Sequence, residues 1–507
     1  MKVLLMHPDR DFDPNPEAPN HWRDLNQDLA LDALLAAMAG RDPFLFQVGR
    51  AAIVSGLAND LETIFYRQHV LNDCMRNAAI VRELYALAAD TIESRRGYHF
   101  GIFTKYPGGI LSSSVGLLRM LISQLGKLRE FAALNASRFE STGFRNLFAT
   151  LLSELSEEYL AGVQAHLRAL EFDDGVLVSA ELGDGNQGSS YVLREPRGKR
   201  PNWLKRMLGK GPAAYTFRVH PRDEVGARAL GALRDRGINP VANAAAQSAE
   251  HILSFFVALK TELGFYAGCL NLRDQLELFG TPLCLPRPSL AAARTMEFKG
   301  LYDVCLALSM RARPVGNGLD ASGKSLVIIT GANQGGKSVF LRGVGLAQLM
   351  MQAGMFVGAE SFAGNICKNV FTHYKREEDA TMKQGKLDEE LSRMSDIAAA
   401  ISANATVLFN ESFAATNERE GSEIARQVVS ALVEKGVKVI FVTHLYQFAH
   451  GLWENRPDGS LFLRAQRLED GTRTFKLLEA EPLQTSYGVD LYQKIFGQVS
   501  DDSSASM

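Results

Sequence analysis

The octet Gly331-Ala332-Asn333-Gln334-Gly335-Gly336-Lys337-Ser338 fits the pattern G-x-x-x-x-G-K-[ST], and does so once in the 507-residue chain. This spacing suits a phosphate chain. Glycines let the backbone curl so that successive N–H groups face one anion. A helix starting at the lysine adds the positive end of its dipole. Lys337 then neutralises the outer phosphates, and Ser338 offers a hydroxyl oxygen to Mg²⁺. The flanks agree with a P-loop: Leu326 to Thr330 reads as a buried strand and residues 337–353 as a helix. A second apolar run, Thr406 to Phe409, leads into Asn410-Glu411. The first position is where an acid would hold the Mg²⁺ water shell, and here it is Asn410. Glu411 remains to orient or deprotonate an attacking water. A third run, Val437 to Val442, ends in Thr443-His444, which puts an imidazole within reach of a γ-phosphate or that water.

A second chemistry lies in residues 194–210. Arg194, Arg197, Lys199, Arg200, Lys205, Arg206 and Lys210 face the single acid Glu195, with Trp203 among them. A basic loop carrying an aromatic suits a phosphate backbone. A solvated loop with no partner has the same composition, and the sequence does not separate the two.

Several elements must position these residues. Residues 22–40, 59–94, 110–137 and 144–170 carry apolar side chains at three- and four-residue spacing, as helices do. Breaks fall at Gly40 to Pro43, at Gly97 and at Pro107-Gly108-Gly109. Short strands are expected at 176–178, 191–193 and 215–219. Helix returns over about 222–280, and the proline-containing loop Thr281 to Pro288 closes that block. Composition sets outer limits. With 46% hydrophobic and 22% charged residues and a net charge of -2, the chain is neither largely disordered nor uniformly basic, so any nucleic-acid contact is a local patch. No apolar run was expected to reach bilayer-spanning length. Five cysteines without a C-x-x-C pair point away from a disulfide framework and toward a reducing, cytoplasmic setting.

The run from Thr330 to Ser338, continued through Phe340 to Glu360, resembles the ATPase domain of the MutS family of DNA mismatch-repair proteins. Phe441-Val442-Thr443-His444-Leu445 resembles that family's switch strand, and Thr485-Ser486-Tyr487-Gly488 its late Ser-Tyr-Gly element. The likeness is close over about 300–497. It is weaker at Tyr66 to Ala88 and Leu259 to Phe279, which resemble the helical lever. By the same resemblance Asn317 corresponds to a residue near the adenine. The stretch 174–220 falls where the family's DNA clamp interrupts the levers. Three departures stand out. The lever likeness begins within about 60 residues, which implies a short member without the mismatch-reading and connector domains. Ala414-Ala415-Thr416-Asn417 replaces a glycine-rich dimer loop. The segment Gly385 to Glu390 lacks the hydroxyls expected to reach a partner's γ-phosphate.

The expected fold is therefore multidomain, α and α/β. A helical lever over 1–173 and 222–290 is interrupted by a strand-containing, clamp-like insertion at 174–221. A P-loop ATPase domain of MutS/ABC type follows at 291–497, then a disordered tail at 498–507. The expected function is an ATP-dependent, DNA-binding switch in repair or recombination. It would use ATP and Mg²⁺, form a homodimer through the ATPase domain and leave membranes alone. Hydrolysis is expected to be slow because of Asn410. The alternative is an ATP-binding, weakly hydrolysing switch that controls assembly with a protein partner.

Overall fold

A computed structural model describes residues 1–95, 106–172, 175–194, 216–376, 385–468 and 472–483. The chain forms two compact units. The first comprises Met1–Val3, Ala79–Glu140 and Phe144–Lys260, and the second Leu4–Ala78, Ser141–Gly143 and Thr261–Met507.

The first unit is mainly helical. Its helix Pro107–Asn135 starts on a proline, whose fixed φ suits the first helical position. It buries Leu111, Val115, Leu118, Leu121, Ile122 and Leu125, a stripe at helical spacing. Phe139, Phe144 and Phe148 form an aromatic cluster, with ring centroids 4.3 to 5.7 Å apart. The helix Glu157–Ala169 is capped by Ser156, whose Oγ accepts from the Tyr159 N–H at 3.1 Å. Strands β1 (Leu177–Leu182) and β2 (Gly188–Arg194) pair as an antiparallel hairpin with a bulge between Ser179 and Glu181. Residues 216–219 form no strand, which corrects the expectation of one at 215–219; Tyr215 lies outside the described residues. The β-type alternation there has no partner strand among the described residues to complete a ladder. The 55-residue helix Glu224–Leu278 begins in this unit and ends in the second.

Bilayer-spanning length also needs correction. Stretches within Pro107–Arg138 and Glu224–Leu278 are long and apolar enough to cross a membrane, because isolated polar residues hardly change an 18-residue average. In the longer helix 72% of that stretch is buried, the placement of a core helix; in the shorter one 44% is.

The second unit contains two sheets. The smaller has the order β3–β7–β4–β5, from Arg287–Ser289 (β3), Met296–Leu301 (β4), Asn317–Asp320 (β5) and Ser361–Asn365 (β7). The larger runs β12–β11–β6–β10–β9–β8. Its strands are Leu326–Thr330 (β6), Val370–Tyr374 (β8), Thr406–Asn410 (β9), Lys438–Val442 (β10), Ser460–Arg467 (β11) and Arg473–Glu479 (β12). All its pairs are parallel except β11–β12. Helices cover a parallel sheet, so its strands read as continuous apolar runs, and β6 is buried throughout. Ile328, Phe371, Val407, Phe409, Val439 and Phe441 pack with residues of the helices Lys386–Ala400 and Glu418–Glu434.

The helices Trp22–Leu29, Leu31–Ala39, Pro43–Gly56 and Leu61–Arg76 belong to this second unit. Helix Pro43–Gly56 follows the Gly40–Pro43 break: the Asp42 carboxylate accepts from the Phe44 N–H at 2.9 Å and Pro43 occupies the first turn. Buried contacts tie these helices to the P-loop helix Lys337–Gln352, among them Gln352 Nε2 donating to Gly56 O at 3.4 Å. Arg67, wholly buried, donates to the carbonyl of Ala353 just past that helix at 3.3 Å, and to Met6 O at 2.9 Å.

Candidate nucleotide site

The register of the large sheet explains why its chemistry collects at one edge. Val442 on β10 sits opposite Ile329 on β6 and Asn410 on β9. The residues that follow these strands, Gly331 after Thr330, Glu411 after Asn410 and Thr443-His444 after Val442, therefore leave three adjacent parallel strands at their carboxyl ends, where open α/β sheets bind ligands. The strand that leads into His444 lies between the P-loop strand and the strand before Glu411, so the imidazole stands between Lys337 and Glu411.

The distances follow from this order. Lys337 Nζ donates to the carbonyls of Gly331 and Ala332, each at 2.9 Å, and lies 3.3 Å from His444 Nε2. His444 Nε2 is 3.1 Å from Glu411 Oε1. Ser338 Oγ donates to Asn410 Oδ1 at 2.9 Å. Lys337 is 4% exposed, and burial pushes its ammonium down to about 8, against a smaller opposing pull from Glu411. The Glu411 carboxyl is held below its usual value, first by its hydrogen bond with His444 and despite its burial. It is thus an acceptor near neutral pH.

The loop's shape depends on its glycines. Gly331 has φ +114, and a Cβ there would lie 2.9 Å from the backbone nitrogen of Ala465 on β11. At Gly335 a Cβ would lie 2.8 Å from Ala465 Cβ and 2.9 Å from Ala332 O. The P-loop is pressed against its neighbouring strand, and only glycine fits. Glu411 and Phe413 have φ of 55 and 61. A side-chain-bearing residue pays roughly 1–3 kcal/mol for such a conformation, and these costs concentrate at functional sites. The turn after β9 therefore carries a backbone cost at the residue whose carboxylate meets His444.

A cavity of about 380 Å³ opens beside the loop, lined by Asn333 to Phe340, Glu411, Asn317 and an apolar wall that includes Leu306, Met310, Val315 and Phe475. Its size and its apolar wall with a few polar groups match a small-molecule site. Asn317 lines it, and its amide ties down the edge strand: Nδ2 donates to Phe475 O at 3.1 Å, and Oδ1 accepts from the Leu477 N–H at 2.9 Å. Phe475, half exposed with φ 57, was not singled out from the sequence. Nor was Asp303, which lines the cavity, accepts from the Leu306 N–H and pairs with Arg342 at 2.5 Å. The signal available for Asp303 was its place before a short apolar helix, an N-cap pattern. For Phe475 only the alternation of an edge strand was available.

Asn333 and Gln334 are exposed on the loop. Among the described residues no cluster of three His, Cys, Asp or Glu could hold a metal. The neutral oxygens of Ser338 and Asn410 fit a Mg²⁺ that takes most of its ligands from phosphates and water. Arg197, Lys199, Arg200, Lys205 and Arg206, the Ser-Tyr-Gly element and the tail 498–507 lie outside the described residues.

Residues 59–279 match the family model of the MutS2 N-terminal domain, and residues 327–497 that of MutS domain V. The chain belongs to the MutS family. Relatives include the endonuclease MutS2 of Lactiplantibacillus plantarum, 31% identical over 134 residues, 26% of this chain and 17% of that protein. The DNA mismatch repair protein MutS of a Thermotoga species is 34% identical over 121 residues, 24% of this chain and 15% of that protein. Human MutS protein homolog 4 is 26% identical over 205 residues, 38% of this chain and 22% of that protein. The chain thus spans less than a quarter of these relatives. The domain V match contains the P-loop, Glu411 and His444, and the MutS2 N-terminal match contains residues 66–88 and 259–279.

Proposed function

We propose that this MutS-family chain is an ATPase whose nucleotide state switches its hold on DNA in repair or recombination. The observation that carries the reading is the convergence of Lys337, at the start of the helix after the loop, with His444 and Glu411 at the carboxyl edge of three adjacent parallel strands. In this reading the amides of Gly331 to Lys337 cradle the phosphates, and Lys337 exchanges its carbonyl partners for phosphate oxygens. The apolar wall with Phe475 receives the base. Ser338 and Asn410 face Mg²⁺, which supplies charge neutralisation at the phosphates when bound. Glu411 orients a water and accepts its proton, and His444 reports the γ-phosphate to Glu411. The basic segment with Arg197, Lys199, Arg200, Lys205 and Arg206 contacts DNA phosphates from a clamp-like insertion between the levers. The family likeness supports a homodimer through the ATPase region, and five cysteines outside any disulfide suit the cytoplasm.

One observation favours a second reading. Asn410, a neutral amide and not an acid, is the group that accepts from the P-loop hydroxyl of Ser338. A site that holds ATP and turns it over rarely would then control assembly with a protein partner.

Single-turnover hydrolysis separates the two, measured beside DNA binding with and without ATP at stated salt. The ATPase reading expects Glu411→Ala to lose most hydrolysis while keeping ATP affinity. It also expects joint neutralisation of the five basic residues to reduce the slope of log K against log salt by about 0.9 per lost phosphate contact. Tight ATP binding with neither hydrolysis nor DNA binding at low salt would install the second reading.

A further inference from the structure

Behind the turn that presents Glu411 lies a buried polar network that the phosphate chemistry does not use. Ser412, His373 and Phe413 are fully buried, and Glu390 is 3% exposed. Glu390, on the helix Lys386–Ala400, accepts the Phe413 N–H on Oε2 at 2.8 Å. Its own carbonyl accepts from His373 Nε2 at 2.9 Å. His373 Nδ1 lies 2.7 Å from Ser412 Oγ, and that hydroxyl lies 2.5 Å from the His373 carbonyl.

Proton counting fixes the arrangement. A carbonyl only accepts, so Nε2 carries the imidazole proton. Burial, with Arg393 nearby, pushes His373 down to about 4, so the ring is neutral and Nδ1 is an acceptor. The single Ser412 proton is shared between Nδ1 and the His373 carbonyl. Ser412 is therefore held from two directions and Phe413 from a third. These two residues follow Glu411 directly, and Glu411 and Phe413 both have left-handed φ. The main chain at Glu411 is held by its own N–H, which donates to Val442 O at 2.8 Å. On the far side, a Cβ at Gly421 would lie 2.3 Å from Phe413 O, so the turn is pressed against the helix Glu418–Glu434.

We propose that Glu390 and His373 are positioning residues for Glu411: through Phe413 and Ser412 they hold the left-handed turn that aims its carboxylate, and so tie the helix Lys386–Ala400 to the hydrolytic step. Neither lines the nucleotide cavity. The inference rests on the hydrolytic reading above. It adds a mechanical consequence, because displacement of this helix withdraws Glu411 without disturbing the phosphate cradle.

The test is single-turnover hydrolysis and ATP affinity in the full chain, for wild type, Glu390→Ala, Glu390→Gln, Glu411→Ala and the double variant Glu390→Ala/Glu411→Ala. Glu390→Ala is expected to slow hydrolysis about tenfold or more with ATP affinity kept within about twofold, the mark of an interaction felt only at the chemical step. Glu390→Gln keeps an oxygen for the Phe413 N–H and should recover most of the rate. In the Glu411→Ala background, Glu390→Ala should cost nothing further, because the residue it positions is gone. An unchanged rate in Glu390→Ala, equal rates for the Gln and Ala variants, or a full additional loss in the double variant overturns the proposal. Should Glu390→Ala fail to fold, Ser412→Ala carries the same comparison with the same expected pattern. A wild type that does not hydrolyse ATP, or a Glu411→Ala variant at full rate, defeats the hydrolytic reading itself and this inference with it.

Discussion

On the proposed function, the buried lysine of the P-loop should make ATP affinity depend on pH in a range where most surface lysines are silent. Lys337 is enclosed by the loop and its ammonium is pushed down to about 8. The fall from 10.5 corresponds to roughly 3 kcal/mol of desolvation, at about 1.4 kcal/mol per tenfold. Phosphate oxygens at Nζ favour the charged form, so binding raises this pKa again. Linkage then sets the sign. Below pH 8 the lysine is already protonated and affinity is flat. Above it, binding must take up a proton, and affinity falls toward tenfold per pH unit. The expected result is ATP held about tenfold more weakly at pH 9 than at pH 7, read by titration at saturating Mg²⁺. Lys337→Met should bind weakly at every pH and show no such slope.

The window should stop near pH 9. Burial pushes the thiols of Cys74, Cys269, Cys305 and Cys367 up, so above the unfolded thiol value of 9.0 the unfolded chain sheds protons that the folded chain keeps, and stability declines. Lys438 is also pushed down to about 8 by burial, but it begins strand β10 at the end remote from the site. Lys438→Gln should keep the slope. A flat profile from pH 7 to 9 in folded wild type, or a slope that survives in Lys337→Met, refutes the reasoning.

Two further outcomes follow from the loop and the metal side. Gly335→Ala should destabilise the fold by about 1–3 kcal/mol and weaken ATP binding, because the new Cβ meets Ala465 and Ala332 O; thermal unfolding and ATP titration check it. Asn410→Asp turns the Ser338 contact into a charge-assisted one and places a negative charge beside Mg²⁺. It should tighten Mg²⁺ and raise single-turnover hydrolysis about tenfold, or roughly 1.4 kcal/mol at the transition state; no gain at any Mg²⁺ concentration would show that Asn410 does not limit hydrolysis.

What could be read from the sequence divides by the range of the interactions involved. The P-loop octet was legible because its geometry is local: spacing alone brings glycines, lysine and hydroxyl to one turn between strand and helix. Glu411 and His444 were legible for a related reason. Each ends a short apolar run, and parallel strands deliver their carboxyl ends to one edge whatever their order. The order itself, with β10 between β6 and β9, was not written in any one segment, and it alone explains why His444 can touch both Lys337 and Glu411.

Phe475 and the second role of Asn317 escaped because they arise from pairing across 158 residues of sequence between an edge strand and the smaller sheet. The strand expected at 215–219 failed for the opposite reason: local alternation was present, but a strand needs a neighbour. The network behind Glu411 was the least visible of all. Glu390, His373 and Ser412 come from a helix, a strand and a turn, and none is unusual in its own segment. Only their burial together, with each proton accounted for, shows that a helix which does not line the cavity is tied to the turn that carries Glu411.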